Sequence, residues 1–167
     1  PVAVDVDAHN RVYVAETFRF NRGTAENRTH SFMLEDDLQV QSLDDRMAMQ
    51  RKWASRFNGG MDWFTSERDQ INLLTDTDGD GRADTSSILA TFREPLDGLA
   101  AGVLPWGDDI WVTCIPHLWR LRDADGDGKA EVKDKVLTGF GVRASFFGHD
   151  MHGLAVGPDN RLYFSVG

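Results

Sequence analysis

Short runs of alternating or wholly apolar residues, broken by Gly and Asp clusters, dominate the chain. Val2-Ala3-Val4-Asp5-Val6 alternates from the start, and Val12-Tyr13-Val14, Ile110-Trp111-Val112 and Leu162-Tyr163-Phe164 are aromatic-centred runs of strand length. Ile71–Leu74, Ser87–Phe92, Leu118–Leu121 and Val132–Leu137 add four more. Short strands punctuated by turn residues predict antiparallel hairpins. One stretch follows a different period. Leu43, Met47, Gln50, Ala54 and Phe57 fall on one helical face, so a helix is expected from Leu43 to Phe57. Ser42 can cap its start, with Asp45 at the third position. The polar stretch ahead of it, Phe20 to His30, is expected as loop.

The strands recur in a pattern. Asp76-Thr77-Asp78-Gly79-Asp80-Gly81-Arg82-Ala83-Asp84 returns 47 residues later as Asp123-Ala124-Asp125-Gly126-Asp127-Gly128-Lys129-Ala130-Glu131. Asp97-Gly98-Leu99-Ala100 parallels His152-Gly153-Leu154-Ala155, and Asn10-Arg11-Val12-Tyr13 returns as Asn160-Arg161-Leu162-Tyr163 at an offset of 150. Units of about 50 residues, each holding four short strands, are the signature of propeller blades. The first unit is too long by roughly 45 residues, which locates an insertion near Arg19 to Thr65. The expected fold is therefore all-β, a β-propeller fragment of about three four-stranded blades with one helical insertion. Residues 1–167 would form the N-terminal half of a propeller domain, with residues 19–65 as a helical and loop insertion in its first blade. Both ends read as strand, as if cut from a longer protein.

Composition narrows the function classes. Hydrophobic residues at 41% and charged residues at 27% are an ordinary globular balance. No apolar run approaches the ~18–20 residues of a membrane helix. A net charge of −9 argues against a nucleic-acid partner. The single cysteine, Cys114, excludes an internal disulfide and reads as a buried small hydrophobe. Asn27-Arg28-Thr29 is a glycosylation sequon, meaningful only in a glycosylating host. The five tryptophans read as packing residues.

The two acidic loops carry the most specific chemistry. Each places carboxylates at positions 1, 3, 5 and 9 and Gly at position 6, the ligand spacing of an EF-hand calcium loop. The candidate ligands are Asp76, Asp78, Asp80 and Asp84, and Asp123, Asp125, Asp127 and Glu131. Position 12 is Ser87 or Asp134 where an EF-hand has Glu, and the flanks read as strands, so Ca²⁺ would clamp a hairpin. The competing reading is a pair of Asp/Gly turns held by Asx hydrogen bonds without metal. In a four-stranded meander these loops lie at one end. The insertion, the turn at Ile115-Pro116-His117 and the link Phe147 to His152 lie at the other. Glu16, Arg19, Asn21, Arg22, His117, His149 and His152 are thus candidates for a substrate- or cofactor-binding end under a helical lid. Spacing alone leaves His149 and His152 open as a metal pair, and Arg19 and Arg22 open as merely solvated.

Asp7 to Glu16, Asp97-Gly98-Leu99 and above all His149-Asp150-Met151-His152-Gly153-Leu154-Ala155-Val156-Gly157-Pro158-Asp159-Asn160-Arg161-Leu162-Tyr163-Phe164-Ser165-Val166-Gly167 resemble the quinoprotein glucose/sorbosone dehydrogenases. These are six-bladed propellers that use pyrroloquinoline quinone (PQQ). The chain as a whole resembles more closely the propellers described as putative membrane-bound dehydrogenases of planctomycetes and verrucomicrobia. The resemblance implies a PQQ-dependent oxidation of a sugar or related alcohol with His149 as general base. It also implies an extracytoplasmic location, the remaining propeller blades of a parent chain, and a c-type cytochrome domain as partner. Gly148 stands where the enzymes carry Asp, Leu99 where they carry Gln, and the cations that grip the quinone come from later blades. Two other functions are open: a non-catalytic propeller that binds carbohydrate or protein beside an electron-transfer domain, and a lyase or hydrolase using the His/Arg cluster.

Overall fold

The computed structural model describes residues 1–144 and 150–167. The chain is mostly β. Its strands build three antiparallel sheets in unbroken chain order. The first holds β1 (Ala3–Val6), β2 (Val12–Glu16), β3 (Asp69–Thr75) and β4 (Thr85–Phe92). The second holds β5 (Ala100–Trp106), β6 (Asp109–Cys114), β7 (His117–Arg122) and β8 (Val132–Thr138). The third pairs β9 (Met151–Val156) with β10 (Leu162–Val166). Every run expected as strand lies in one, apart from Val2 ahead of β1.

The recurrence at an offset of 150 is a recurrence of turn geometry. Asn10 and Asn160 both adopt the left-handed conformation, at φ 62° and 60°, which asparagine tolerates better than most residues. In each turn the asparagine amide donates to the carbonyl three residues back, Asp7 or Gly157, whose own amide donates across to Arg11 or Arg161. Tyr13 Oη donates to Asp7 and Tyr163 Oη to Asp159.

Strand alternation gives the second sheet two apolar faces, and the first and third sheets stack on them. Tyr13, Ala15, Ile71, Leu73 and Leu89 of the first sheet share a core with Ala100, Val103, Ile110, Val112 and Trp119 of the second. The opposite face of the second sheet, through Trp111 and Leu118, packs on Met151, Leu154, Leu162 and Phe164 of the third. The leading strands approach one another in succession, β1 against β5 and β5 against β9.

The contact between the first two sheets passes through the second acidic hairpin. Ala130 N donates to Leu89 O at 2.9 Å, and the Lys133 ammonium, over the rings of Phe92 and Trp119, donates to Thr91 O. Gly128 presses against Ser87, where a Cβ would meet Oγ, at φ +84°. Gly126 has a similar φ of +81° but open space around it. A Gly128→Ala variant should therefore lose more stability than Gly126→Ala. The shared backbone strain costs about 1–3 kcal/mol in each, and the excess reports inter-sheet packing. Urea unfolding of the pair checks this, and equal losses would contradict it.

The long β2–β3 connection contains 3₁₀ turns at Ser31–Met33, Ala54–Arg56 and Gly60–Thr65 and two helices, α1 (Leu34–Asp37) and α2 (Leu43–Trp53). Ser42 Oγ accepts from Asp45 N at 3.1 Å and caps α2 as expected. The helix is shorter than expected: it ends at Trp53, and a 3₁₀ turn carries the chain to Phe57. Its buried stripe is also rotated. Gln50 and Phe57 are buried, but so are Arg46 and Met49, while Leu43 and Met47 are only half-buried. The reason is that α2 faces two neighbours. Met49 and Phe57 join an aromatic core with Met33, Phe64, Trp53 and Trp63. Gln50 Nε2 donates to Pro95 O at 3.1 Å, and Arg46 Nη1 points at Gly141 O at 3.4 Å. The segment from Phe20 to His30 lacks helix and strand, as expected, yet Thr24, Ala25 and Glu26 are buried within it.

Candidate functional site

The two acidic hairpins have nearly identical internal bonding. Asp76 Oδ1 and Oδ2 accept from Gly79 N and Gly81 N at 2.7 and 2.8 Å. Asp123 accepts in the same way from Gly126 N and Gly128 N at 2.7 and 2.9 Å. Asp78 accepts from Asp80 N, and Asp125 from Asp127 N, each at 3.1 Å. The carboxylate at position 9 accepts from the amide of position 2: Asp84 from Thr77 N and Glu131 from Ala124 N, both at 2.6 Å. The left-handed glycines at positions 4 and 6 of each loop let the chain wrap the first aspartate.

This wrapping gathers oxygen atoms. One carboxylate oxygen from each of Asp123, Asp125, Asp127 and Glu131 lies within 4.8 Å of the others, as do those of Asp76, Asp78 and Asp84. Asp80 is not part of the first group. Four hard oxygen donors in a compact, solvent-facing loop suit Ca²⁺, which takes 6–8 oxygens in flexible geometry and readily completes its shell with water. The donor set fits the ion at the second loop and fits it less fully at the first.

The opposite end of the sheets holds the insertion, the 93–99 link, the turn at Ile115-Pro116 and the 139–144 link. Of the residues expected to face a ligand there, His149 lies outside the described residues. Arg19 does not face solvent. It is fully buried, and its guanidinium donates to Asp97 O (2.8 Å), Phe64 O (2.7 Å), Gly23 O (3.1 Å) and Glu94 O (3.1 Å). The expectation of a substrate-facing or solvated Arg19 is corrected on this ground, because an arginine so enclosed binds the insertion to the inter-sheet link. Asn21 and Arg22 are exposed. Asn21 is left-handed at φ 56° and accepts from Thr29 Oγ1 at 3.2 Å.

His117 is likewise a packing residue. It is buried, its Nδ1 is 3.0 Å from Thr138 Oγ1, and its ring meets Trp119 edge-on. Burial, helped by the Lys135 charge, pushes its pKa down to about 4. In the unfolded chain the imidazole titrates near 6.5, so the unfolded state binds the extra proton between those values. Stability contributed by the neutral ring is therefore present above about 6.5 and is lost as pH falls toward 4. The His117→Gln variant should show a shallower loss across that window. The difference in urea midpoint between the two proteins measures it, and parallel profiles would contradict the assignment.

Glu16 ends β2 half-buried and accepts from Asn72 Nδ2 at 2.6 Å and Gln70 Nε2 at 3.1 Å. These three line a shallow 400 Å³ concavity with Val14, Leu74 and Ile88 on the outer face of the first sheet. His152 is exposed on β9, its Nδ1 3.1 Å from Ser165 Oγ. The seven candidates named from the sequence are thus scattered: Arg19 and His117 are buried in packing, Glu16 flanks the outer sheet face, His152 lies on the third sheet, Asn21 and Arg22 are exposed at the start of the insertion, and His149 lies outside the described residues. Asn27 of the sequon is half-buried and donates to Asp37 at 2.7 Å.

Sequence reasoning missed Asp69, Asp97, Asp37 and Arg46, all buried at this end. Asp69 accepts from Thr17 Oγ1 and from the amides of Phe18, Arg19 and Ala100, tying β3 to the start of the insertion and to β5. Burial raises its pKa against the pull of those four donors. Asp37 accepts from Ala144 N at 2.6 Å. Burial lowers the Arg46 pKa to about 10, with the Arg19 charge acting in the same direction. The placement of Asp97 ahead of Gly98-Leu99 was the one usable signal, since it sits in the repeated element.

No curated protein and no solved structure matches the chain. Its full length, residues 1–167, matches the family described as "Domain of unknown function (DUF7133)". The two four-stranded meanders, the two-stranded third sheet, the long β2–β3 insertion and the two acidic hairpins are therefore features of a chain that belongs to the DUF7133 family.

Proposed function

We propose that the chain is a Ca²⁺-stabilised segment of a β-propeller that acts as a non-catalytic binding scaffold for carbohydrate or protein ligands. The observation that carries this reading is the fate of the polar residues at the lid end. Two of the groups expected to do chemistry there, Arg19 and His117, are enclosed and spent on packing and backbone carbonyls. Stacked meanders with adjacent leading strands support the propeller. The matching geometry of the two acidic loops supports the ion.

PQQ carries three carboxylates and needs cations. Of the two arginines expected at that end, only Arg22 remains exposed, so the described residues do not by themselves fit the quinone. The dehydrogenase reading is kept as the second one because residues 149–167 resemble the quinoprotein dehydrogenases in the order of their residues. Remaining blades and a c-type haem domain in an extracytoplasmic parent would belong to either reading. A dye-linked assay separates them, using protein supplied with Ca²⁺, PQQ and a panel of aldoses. No turnover, with saturable sugar or partner binding by calorimetry, is expected. Turnover that His149→Ala abolishes would overturn the scaffold reading in favour of the enzyme.

A further inference from the structure

We propose that Asn58-Gly59, in the turn after α2, is a site of spontaneous covalent modification, where deamidation to aspartate and isoaspartate loosens the insertion. Asparagine is the thermolabile residue of an ageing chain, and its lability depends on the backbone N–H that follows it. The Gly59 nitrogen, on losing its proton to hydroxide, attacks Asn58 Cγ. The N–Cγ bond forms and the Cγ–Nδ2 bond breaks, and Nδ2 takes up a proton and leaves as ammonia. Water then opens the cyclic imide at either carbonyl, giving an aspartate or an isoaspartate. Water is the only co-reactant.

The structure separates this pair from every similar one in the chain. The five Asp-Gly pairs could form the same imide with loss of water, but each has its glycine N–H engaged. Gly79 and Gly81 donate to Asp76, Gly126 and Gly128 to Asp123, and Gly98 to Ile115 O. The other five asparagines precede Arg or Leu, whose side chains crowd the attack. Gly59 N makes no hydrogen bond among the described residues, and neither does the exposed Asn58 side chain. Gly59, at φ 89° and ψ 4°, takes the third position of a type II turn closed by Gly60 N donating to Phe57 O at 3.0 Å. A Cβ built on Gly59 or Gly60 would meet nothing within 4 Å. The peptide plane therefore has room to rotate into the attack, against a single turn bond.

The position of the turn gives the modification a structural consequence. Phe57 before it and Trp63 and Phe64 after it stack in the aromatic core of the insertion, with ring centroids 4.6 and 4.8 Å from Phe57. Phe64 O also receives the Arg19 guanidinium. The regular spacing of successive Cα atoms fixes the reach of this short link. Isoaspartate routes the chain through the side chain and adds a methylene between rings that must stay in contact. Either product also adds a carboxylate to a chain already at −9.

The test is storage of the folded chain in warm, mildly alkaline water enriched in heavy oxygen, followed by tryptic mapping with mass spectrometry. Cleavage after Arg56 and Arg68 isolates residues 57–68, in which Asn58 is the single asparagine. That peptide should gain the mass of an amide replaced by a heavy-oxygen carboxyl and split into aspartyl and isoaspartyl forms. The Asp-Gly peptides should stay unchanged in the folded chain and form isoaspartate only in urea, where their amides are released. Brief proteolysis of stored wild type should cut within residues 19–65 faster than proteolysis of fresh protein. Stored Asn58→Gln should show neither the conversion nor the faster cutting. An Asn58 that stays intact while a synthetic peptide of residues 57–68 converts would overturn the proposal. So would isoaspartate appearing first at an Asp-Gly pair of the folded chain, or conversion at Asn58 that leaves proteolysis unchanged. None of these outcomes depends on calcium, quinone or sugar binding.

Discussion

An Arg19→Met variant is expected to lose about 3–5 kcal/mol of stability. The guanidinium is fully buried and spans four carbonyls from three separate stretches of chain: Gly23 and Phe64 in the insertion, and Glu94 and Asp97 in the link to the second sheet. Hydrogen bonds from a charged donor are worth about 1.5–3 kcal/mol each. They are not additive, and each carbonyl left behind in the interior keeps its desolvation cost. Methionine fills much of the volume, so the loss would report the polar contacts more than a cavity. Arg19→Lys should recover little, because an ammonium has three donors on one point and cannot reproduce the planar fork. Urea unfolding gives the size of the effect. Limited proteolysis gives its place, since new cleavage should appear within residues 19–65 before the sheets are attacked. A loss below about 1 kcal/mol would mean that the insertion is held by its aromatic core alone.

The second large effect is expected from calcium. At a free concentration a hundredfold above Kd, an ion that binds only the folded state adds about 2.7 kcal/mol. In a protein of this size that corresponds to a rise in Tm of roughly 5–10 °C. Two physical terms act in the same direction. The ion replaces repulsion among converging carboxylates with coordination, and two ions would lower the net charge from −9 to −5. The second loop should dominate, since it offers four converging carboxylates against three in the first. It is also the loop wedged against the first sheet through Gly128 and Ala130. Asp125→Asn should remove most of the calcium-dependent shift, and Asp78→Asn a smaller part. Neither aspartate carries the two-amide wrap made by Asp123 and Asp76, so the loops should keep their shape in both variants. Differential scanning calorimetry with calcium and with chelator measures this. An unchanged Tm on chelation would leave the loops as Asx-stabilised turns.

The two predictions concern opposite ends of the same sheets, and that separation follows from chain order. In an antiparallel meander the first and third turns share an end and the second turn takes the other. An insertion in the second turn therefore cannot meet hairpins at the third. The acidic hairpins are built from local bonds, within nine residues of one another. The lid end is built from contacts that span up to 107 residues, such as Ala144 N to Asp37.

That difference in range divides what could be read from the residues alone from what could not. Strand positions, the 47-residue recurrence of the acidic loops, the paired asparagine turns, the location of the insertion and the Ser42 cap were all legible in the sequence. Each rests on period, turn chemistry or a hydrogen bond to a near neighbour, and such interactions are encoded where they act. The rotated face of α2, the enclosure of Arg19 and His117 and the aspartates that knit the lid to the sheets were decided only by tertiary structure. A charged side chain in a loop has the same local signature whether it faces water or four distant carbonyls. Which of the two it meets depends on how the insertion, the inter-sheet links and the sheet ends pack together.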